Sequence, residues 1–203
     1  MHQFDSINTS LNSALETIQM LQSRNSMYFI YQASEMIAKA FQEGNKILVA
    51  GNGGSLCDAM HFCEELTGFF RKKRKALPAI PLSDPGYLTC VSNDVDFGEV
   101  FARGIEAYGK EGDIFIGLST SGNSENIIRA IYSAKSYKLR TIAFTGKDGG
   151  RIRNLCDLEL LINSHCSARI QEAHMTVIHI IIEEIERRLF ADSHHSEAVY
   201  ETL

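Results

Sequence analysis

The chain has 203 residues, 44% of them hydrophobic and 22% charged, which fits one full-size soluble domain with a substantial core. A net charge of −5 and a pI near 5.8 leave no basic footprint for nucleic acid. Five cysteines without a CxxC pair, no apolar run of transmembrane length and no signal-peptide pattern point to reduced thiols in the cytoplasm.

In chain order, residues 4–24 carry Phe4, Ile7, Leu11, Leu15, Ile18 and Leu21 at three-to-four spacing, the pattern of an amphipathic helix. Residues 27–42 repeat it with Ile30, Ala33, Met36, Ile37, Ala40 and Phe41, stopped by Gly44. Such a stripe packs either on the core or on another subunit, and periodicity does not separate the two. From Lys46 strands and helices alternate. Strands are expected at 46–50, 78–82, 113–119, 140–145 and 157–162, and helices at 55–70, 95–108 and 124–135. Shorter helices are expected near 87–93 and 149–155. The alternation implies a doubly wound parallel sheet with right-handed crossovers. A long helix should run from about Ala168 to Phe190, buried along Val177–Ile182, and residues 191–203 read as an exposed, flexible tail. Residues 1–190 are therefore expected to form one domain. The basic run Arg71–Lys75 reads as a solvated loop or helix end.

Two strand–loop–helix junctions carry chemistry. After Ile47–Ala50 comes Gly51-Asn52-Gly53-Gly54-Ser55, where glycines let the backbone approach a ligand and helix-start amides face any anion. His61 and Glu65 follow on the same helix, about 40° apart around its axis, so both project from nearly one face. The second junction, Ser119-Thr120-Ser121-Gly122-Asn123-Ser124, has four hydroxyls in six residues at the carboxyl end of a strand. Ser124 suits an N-cap, so the run reads either as a plain helix-capping turn or, in the preferred reading, as a phosphate site. The first loop lacks the third glycine of the dinucleotide fingerprint, Asp84 lies too far on to serve as its acidic partner, and nothing matches a P-loop. Near the chain's end, Gln171 and His179 lie about 80° apart on one helix and can share a broad face; His174 falls on the other side of Gln171. Alone, His179 in an isoleucine-rich run would read as a core histidine, and His61 with Glu65 as an ion pair.

Taken together, GNGGSxxDAMHFxEELTG, LSTSGNSxNI, FTGKDGG and ARIQExH resemble the sugar-isomerase (SIS) fold and, within it, the phosphoheptose isomerase family, in register to about residue 190. The serine loops mark only the fold; His61 with Glu65 and Gln171 with His179 discriminate more finely. The resemblance implies a five-stranded α/β sheet with two N-terminal helices and a long C-terminal one. It also implies interconversion of sedoheptulose 7-phosphate and D-glycero-D-manno-heptose 7-phosphate, on the route to lipopolysaccharide heptose. By the same resemblance Asn52, Gly53, Gly54, Ser55, Asn93, Asp94 and Gln171 contact substrate, and Ser119, Thr120, Ser121 and Ser124 hold its phosphate. Zinc is expected on His61, Glu65, Gln171 and His179, and the assembly is expected to be a homotetramer. The chemistry suits these residue types, because an aldose–ketose isomerase moves a proton between C1 and C2. Glu65, which would also contact substrate, is the expected base, with His179 as its acid/base partner. Two departures from the family stand out: Phe69, where a basic residue is common, and Ala168, where an Asp occurs. The rivals are a non-enzymatic SIS protein that binds the replication initiator DnaA and a phosphosugar-sensing or amino-sugar SIS domain. The first has no need of His61, Glu65 and His179 together; the second keeps the serine loop without the histidine pair.

Overall fold

The computed structural model describes residues 3–190. Five strands, β1 (Ile47–Gly51), β2 (Ala79–Pro81), β3 (Ile114–Ser119), β4 (Arg140–Gly146) and β5 (Leu158–Ile162), form one sheet in the order β2-β1-β3-β4-β5. Every pairing is parallel. Short apolar runs bounded by loops make strands that are buried on both faces, and β1 and β3 are buried along their whole length.

Side chains of the strands alternate between two cores. Ile47, Val49, Ile114, Ile116, Ile142 and Phe144 face one side, where they meet α2 (Arg24–Gln42), α3 (Gly54–Thr67) and α7 (Ser167–Phe190). Leu48, Ala50, Phe115 and Ala143 face the other, against α5 (Val100–Tyr108) and α6 (Glu125–Ser136). The strand order reverses between β1 and β3, so the loops after these two strands flank the crevice where ligands collect in open α/β sheets. Both predicted cradles stand there.

The first predicted helix is interrupted. It runs as α1 (Asp5–Gln19) and tightens into a 3-10 turn at Met20–Gln22, before Ser23 accepts a hydrogen bond from the Ser26 amide and starts α2. Phe29, Ile30, Ala33 and Ile37 of α2 are in the core, whereas Phe4, Ile7, Leu11 and Leu15 face outward. The two stripes therefore have different fates: the second packs on the core, whereas the first does so only at its end, through Ile18 and Leu21. In α7, Val177, Ile178, Ile181 and Ile182 are buried within this one chain. Where 55–70 was expected to be helical, α3 stops at Thr67. The stretch 87–93 lies within α4 (Pro85–Asp94), while 149–155 contains only a 3-10 turn at Gly150–Ile152. Positive φ at Gly149 and Gly150 is incompatible with an α-helix there. The expected tail at 191–203 lies outside the described residues.

Candidate active site

The glycine cradle connects β1 to α3. Gly53 has φ +56°, and a Cβ on Gly54 would lie 2.6 Å from the side-chain amide of Gln171. Gln171 is thus packed on the start of α3, beside Asn52 and Gly53. Ser55 is buried in the first turn of that helix.

The hydroxyl cradle connects β3 to α6. Ser124 occupies the N-cap position, but its Oγ is 2.9 Å from Ser119 Oγ and makes no side-chain bond to the helix amides. The expected N-cap position is thus taken, with Ser124 O accepting from Ile128 N at 3.0 Å, while the hydroxyl is turned to Ser119 instead. Pairing the two serines gathers their hydroxyls at the helix start, where an anion is favoured. Gly122, with φ +65°, packs so closely on the loop after β4 that a Cβ would come 1.9 Å from Gly149 O. Ile152 N donates to Gly122 O at 2.9 Å and Arg151 N to Asn123 Oδ1 at 3.0 Å, so FTGKDGG buttresses the serine loop.

A pair of amides joins the two cradles. Asn52 Nδ2 donates to Asn126 Oδ1 and Asn126 Nδ2 donates to Asn52 Oδ1, each at 2.9 Å. Asn126, from the first turn of α6, is 3% exposed. Together they border a cleft of about 310 Å³, completed by Asp96, Phe97, Gly98, Ser124 and Glu125. The carboxylates on its rim are offset: Arg129 reaches Asp96, Glu99 and Glu125, and Arg151 reaches Glu125. Asn93 and Asp94 are exposed at the end of α4, where Asn93 Nδ2 donates to Asp94 Oδ1 at 2.8 Å; neither borders this cleft. That hydrogen bond, with one from the Cys90 thiol, holds Asp94 below the usual carboxylate range.

The side chains expected to do chemistry meet farther along α3, against α7. His61 Nε2 is 3.3 Å from Glu65 Oε1 and 3.3 Å from His179 Nε2, which lies 118 residues away in sequence. One ligand atom from each of the three lies within 4.8 Å of the others. Bonds of about 2.0–2.1 Å at a tetrahedral angle place zinc ligands about 3.3 Å apart, so the donor set and its spacing fit a divalent ion such as zinc. Phe70 stacks on the His179 ring (centroids 5.4 Å apart, 21° between planes), while His61 meets that ring edge-on at 5.2 Å. The His179 ring is thus held by an aromatic contact on each of two sides. Beside His61 a second groove of about 460 Å³ opens between α3 and β2.

Gln171 packs on the start of α3. Eight residues of helix rise about 12 Å, and its amide rests on Gly54 at the cradle end. Of the four expected metal ligands, His61, Glu65 and His179 lie together, and the Gln171 amide rests on Gly54. His174 turns out to be the core histidine: it is fully buried, with Nε2 3.1 Å from Thr145 O, and burial pushes its pKa down to about 4. Asp58, one turn before His61, has its pKa pushed up to about 6 by burial, with His61 pulling the other way.

The basic run is not simply solvated. The Arg74 side chain is 4% exposed and ion-paired to Glu186 of α7 at 2.7 Å; Arg71 pairs with Glu183 at 2.6 Å and lies over Phe70. Arg74, Asn126 and Phe70 are the residues that sequence reasoning missed. Asn126 stood within the LSTSGNSxNI motif, whereas nothing in a run of five cations singles out Arg74.

Comparison with known proteins converges on one family. An SIS-domain family model matches residues 10–146. A phosphoheptose isomerase of Fusobacterium nucleatum is 52% identical over 166 residues, covering 82% of this chain and 86% of the relative. One from Vibrio cholerae is 48% identical over 187 residues, covering 91% and 98%. The structure of a phosphoheptose isomerase from Francisella tularensis superposes with a TM-score of 0.87 at 34% identity, covering 92% of this chain and all of that one. The initiator-binding alternative gains no support from these relatives. With its two cradles, its histidine–glutamate cluster and these matches along most of its length, the chain belongs to the phosphoheptose isomerases of the SIS-domain family.

Proposed function

We propose that this chain, a sugar-phosphate isomerase by family, interconverts sedoheptulose 7-phosphate and D-glycero-D-manno-heptose 7-phosphate, supplying heptose for lipopolysaccharide. The observation that carries the reading is the meeting of His61, Glu65 and His179 on one side of α3, in a chain whose relatives carry the isomerase name. Ser119, Thr120, Ser121 and Ser124 hold the substrate phosphate, helped by the amides at the start of α6. Asn52, Gly53, Gly54, Ser55 and Gln171 line the approach of the sugar, while Asn93 and Asp94, which lie outside the cleft at the end of α4, are assigned to substrate on the family resemblance alone.

Glu65 takes a proton from C1 of the ketose, giving an enediol(ate), and returns it at C2. His179 moves the proton between the two oxygens; its Nε2 faces His61, so its other ring nitrogen is assigned this proton, the ring being held in place by Phe70 and His61. Glu65 Oε1 faces His61, so its second oxygen is assigned the carbon-bound proton. His61, Glu65 and His179 would hold zinc, which when bound polarises a carbonyl and stabilises negative charge on oxygen. Gln171, with its amide on Gly54, is assigned to the cradle rather than to the metal. A catalytic zinc site keeps a position open, which suits three protein ligands.

Residues 1–190 are taken as one SIS domain. A homotetramer in the cytoplasm completes the reading, supported by the outward apolar stripe of Phe4, Ile7, Leu11 and Leu15 on α1 and by the lack, among the described residues, of any helix long and apolar enough to cross a membrane.

The test is isomerase activity on sedoheptulose 7-phosphate before chelation, after it, and after zinc is restored. Activity lost with the metal and regained with zinc supports the whole reading. Activity indifferent to a chelator shown by metal analysis to have stripped the protein would remove zinc from it. No turnover with zinc present would remove the reaction itself.

A further inference from the structure

We propose that Arg74 is a positioning residue that sets the distance between α3 and α7, and so brings Glu65 and His61 to His179. This rests on the reading of those three residues as the working group. The last carbonyls of a helix have no partner within it. Arg74 supplies partners for the end of α3: Nη2 donates to Glu65 O at 2.7 Å, and Nη1 donates to Leu66 O at 2.8 Å and Gly68 O at 3.0 Å. Nη1 also donates to Lys75 O at 3.1 Å, which fixes the loop that carries Arg74. A cation at this end also opposes the partial negative charge of the helix terminus.

The remaining nitrogen faces the other helix. Arg74 Nε donates to Glu186 Oε1 at 2.7 Å, and Glu186 is only 14% exposed. Glu186 lies seven residues after His179, two turns along nearly the same face of α7. One planar guanidinium therefore spans from the backbone of Glu65 to the His179 face of the opposite helix. Arg71 repeats the link one turn closer to His179: it pairs with Glu183 and lies over the Phe70 ring that stacks on His179. The loop after α3 thus fastens both partners of the cluster. A lysine cannot replace the fork, because its ammonium is a single point and cannot meet carbonyls and carboxylate in these fixed directions.

The test compares wild type with Arg74→Lys and Glu186→Gln. Cobalt(II) titration gives both affinity, by competition with a chelator, and a ligand-field spectrum that reports coordination geometry. Circular dichroism and melting temperature report folding separately. We expect Arg74→Lys to bind cobalt at least about tenfold more weakly with an altered spectrum, the usual scale for residues that orient metal ligands. Glu186→Gln, which keeps an acceptor but loses the charge, should shift affinity and spectrum the same way by a smaller factor. A lowered melting temperature with affinity and spectrum unchanged would overturn the proposal, making Arg74 a structural clamp only. Should Arg74→Lys not fold, Glu186→Gln decides in the same terms. If wild type binds neither cobalt nor zinc, the metal reading fails by itself. The positioning role is then read from kcat: Arg74→Lys must lower kcat with KM little changed, and an unchanged kcat overturns it.

Discussion

The two regions assigned to function are built from different material. At the carboxyl edge of the sheet, the cradles after β1 and β3 are made of backbone and short hydroxyls, and their shape is set locally by glycines at positive φ. Against α7, the cluster of His61, Glu65 and His179 is made of long side chains from two helices, and its shape is set by contacts with Phe70 and Arg74. A backbone cradle suits an anion that must be held but not transformed. Acid/base and metal chemistry require lone pairs at defined distances, which only side chains supply. The comparison predicts that damage to the first region mainly weakens binding, whereas damage to the second mainly slows the reaction.

The largest effect should come from the cluster. Glu65→Gln and His179→Ala should each lower kcat by at least about a hundredfold, the scale of a lost acid/base group. Steady-state kinetics on sedoheptulose 7-phosphate will show it, and near-normal turnover in either variant would remove that residue from the mechanism. Asn126→Ala should come next. It leaves the half-buried Asn52 side chain without both of its partners at the joint between the cradles, a loss of about 1 kcal/mol. Denaturant unfolding should register that loss, with KM rising more than kcat falls. Equal loss in kcat with KM unchanged would show that the two regions are not separable. The smallest effect should be Ser119→Ala or Ser124→Ala, each removing one of several phosphate donors and raising KM by about tenfold or less, in line with one hydrogen bond of about 1 kcal/mol. Loss of turnover with binding intact would count against the phosphate role.

The same division governs what could be read from the sequence. Strands such as Ile47–Gly51 and Ile114–Ser119 announce themselves by short apolar runs followed by glycine or hydroxyl loops, and both cradles came with them. His61 and Glu65 are neighbours on one helix, so their pairing follows from spacing alone. His179 does not: only the resemblance to a family separated it from a core histidine, and the core histidine is His174 five residues earlier. Arg74 was hidden for a related reason. Its partners are carbonyls of a helix end and a carboxylate 112 residues away, and composition says nothing about which of five cations will meet them. The early stop of α3 at Thr67 had a signal in Gly68, its C-cap, but the partners of the carbonyls released there, Arg74 and Leu77, lie beyond the helix and carried no mark in the sequence. Where 149–155 was expected to be helical, left-handed glycines serve instead to buttress the serine loop.

The division of labour is tested most directly by calorimetric titration of sedoheptulose 7-phosphate into the Glu65→Gln variant. Holding the phosphate in the cradles and the chemistry in the cluster predicts binding within about threefold of the dissociation constant that KM implies for the wild type, less than one hydrogen bond's worth of affinity, in a protein that no longer turns over. Binding lost together with turnover would contradict the account, placing Glu65 in the grip on the substrate rather than in the reaction.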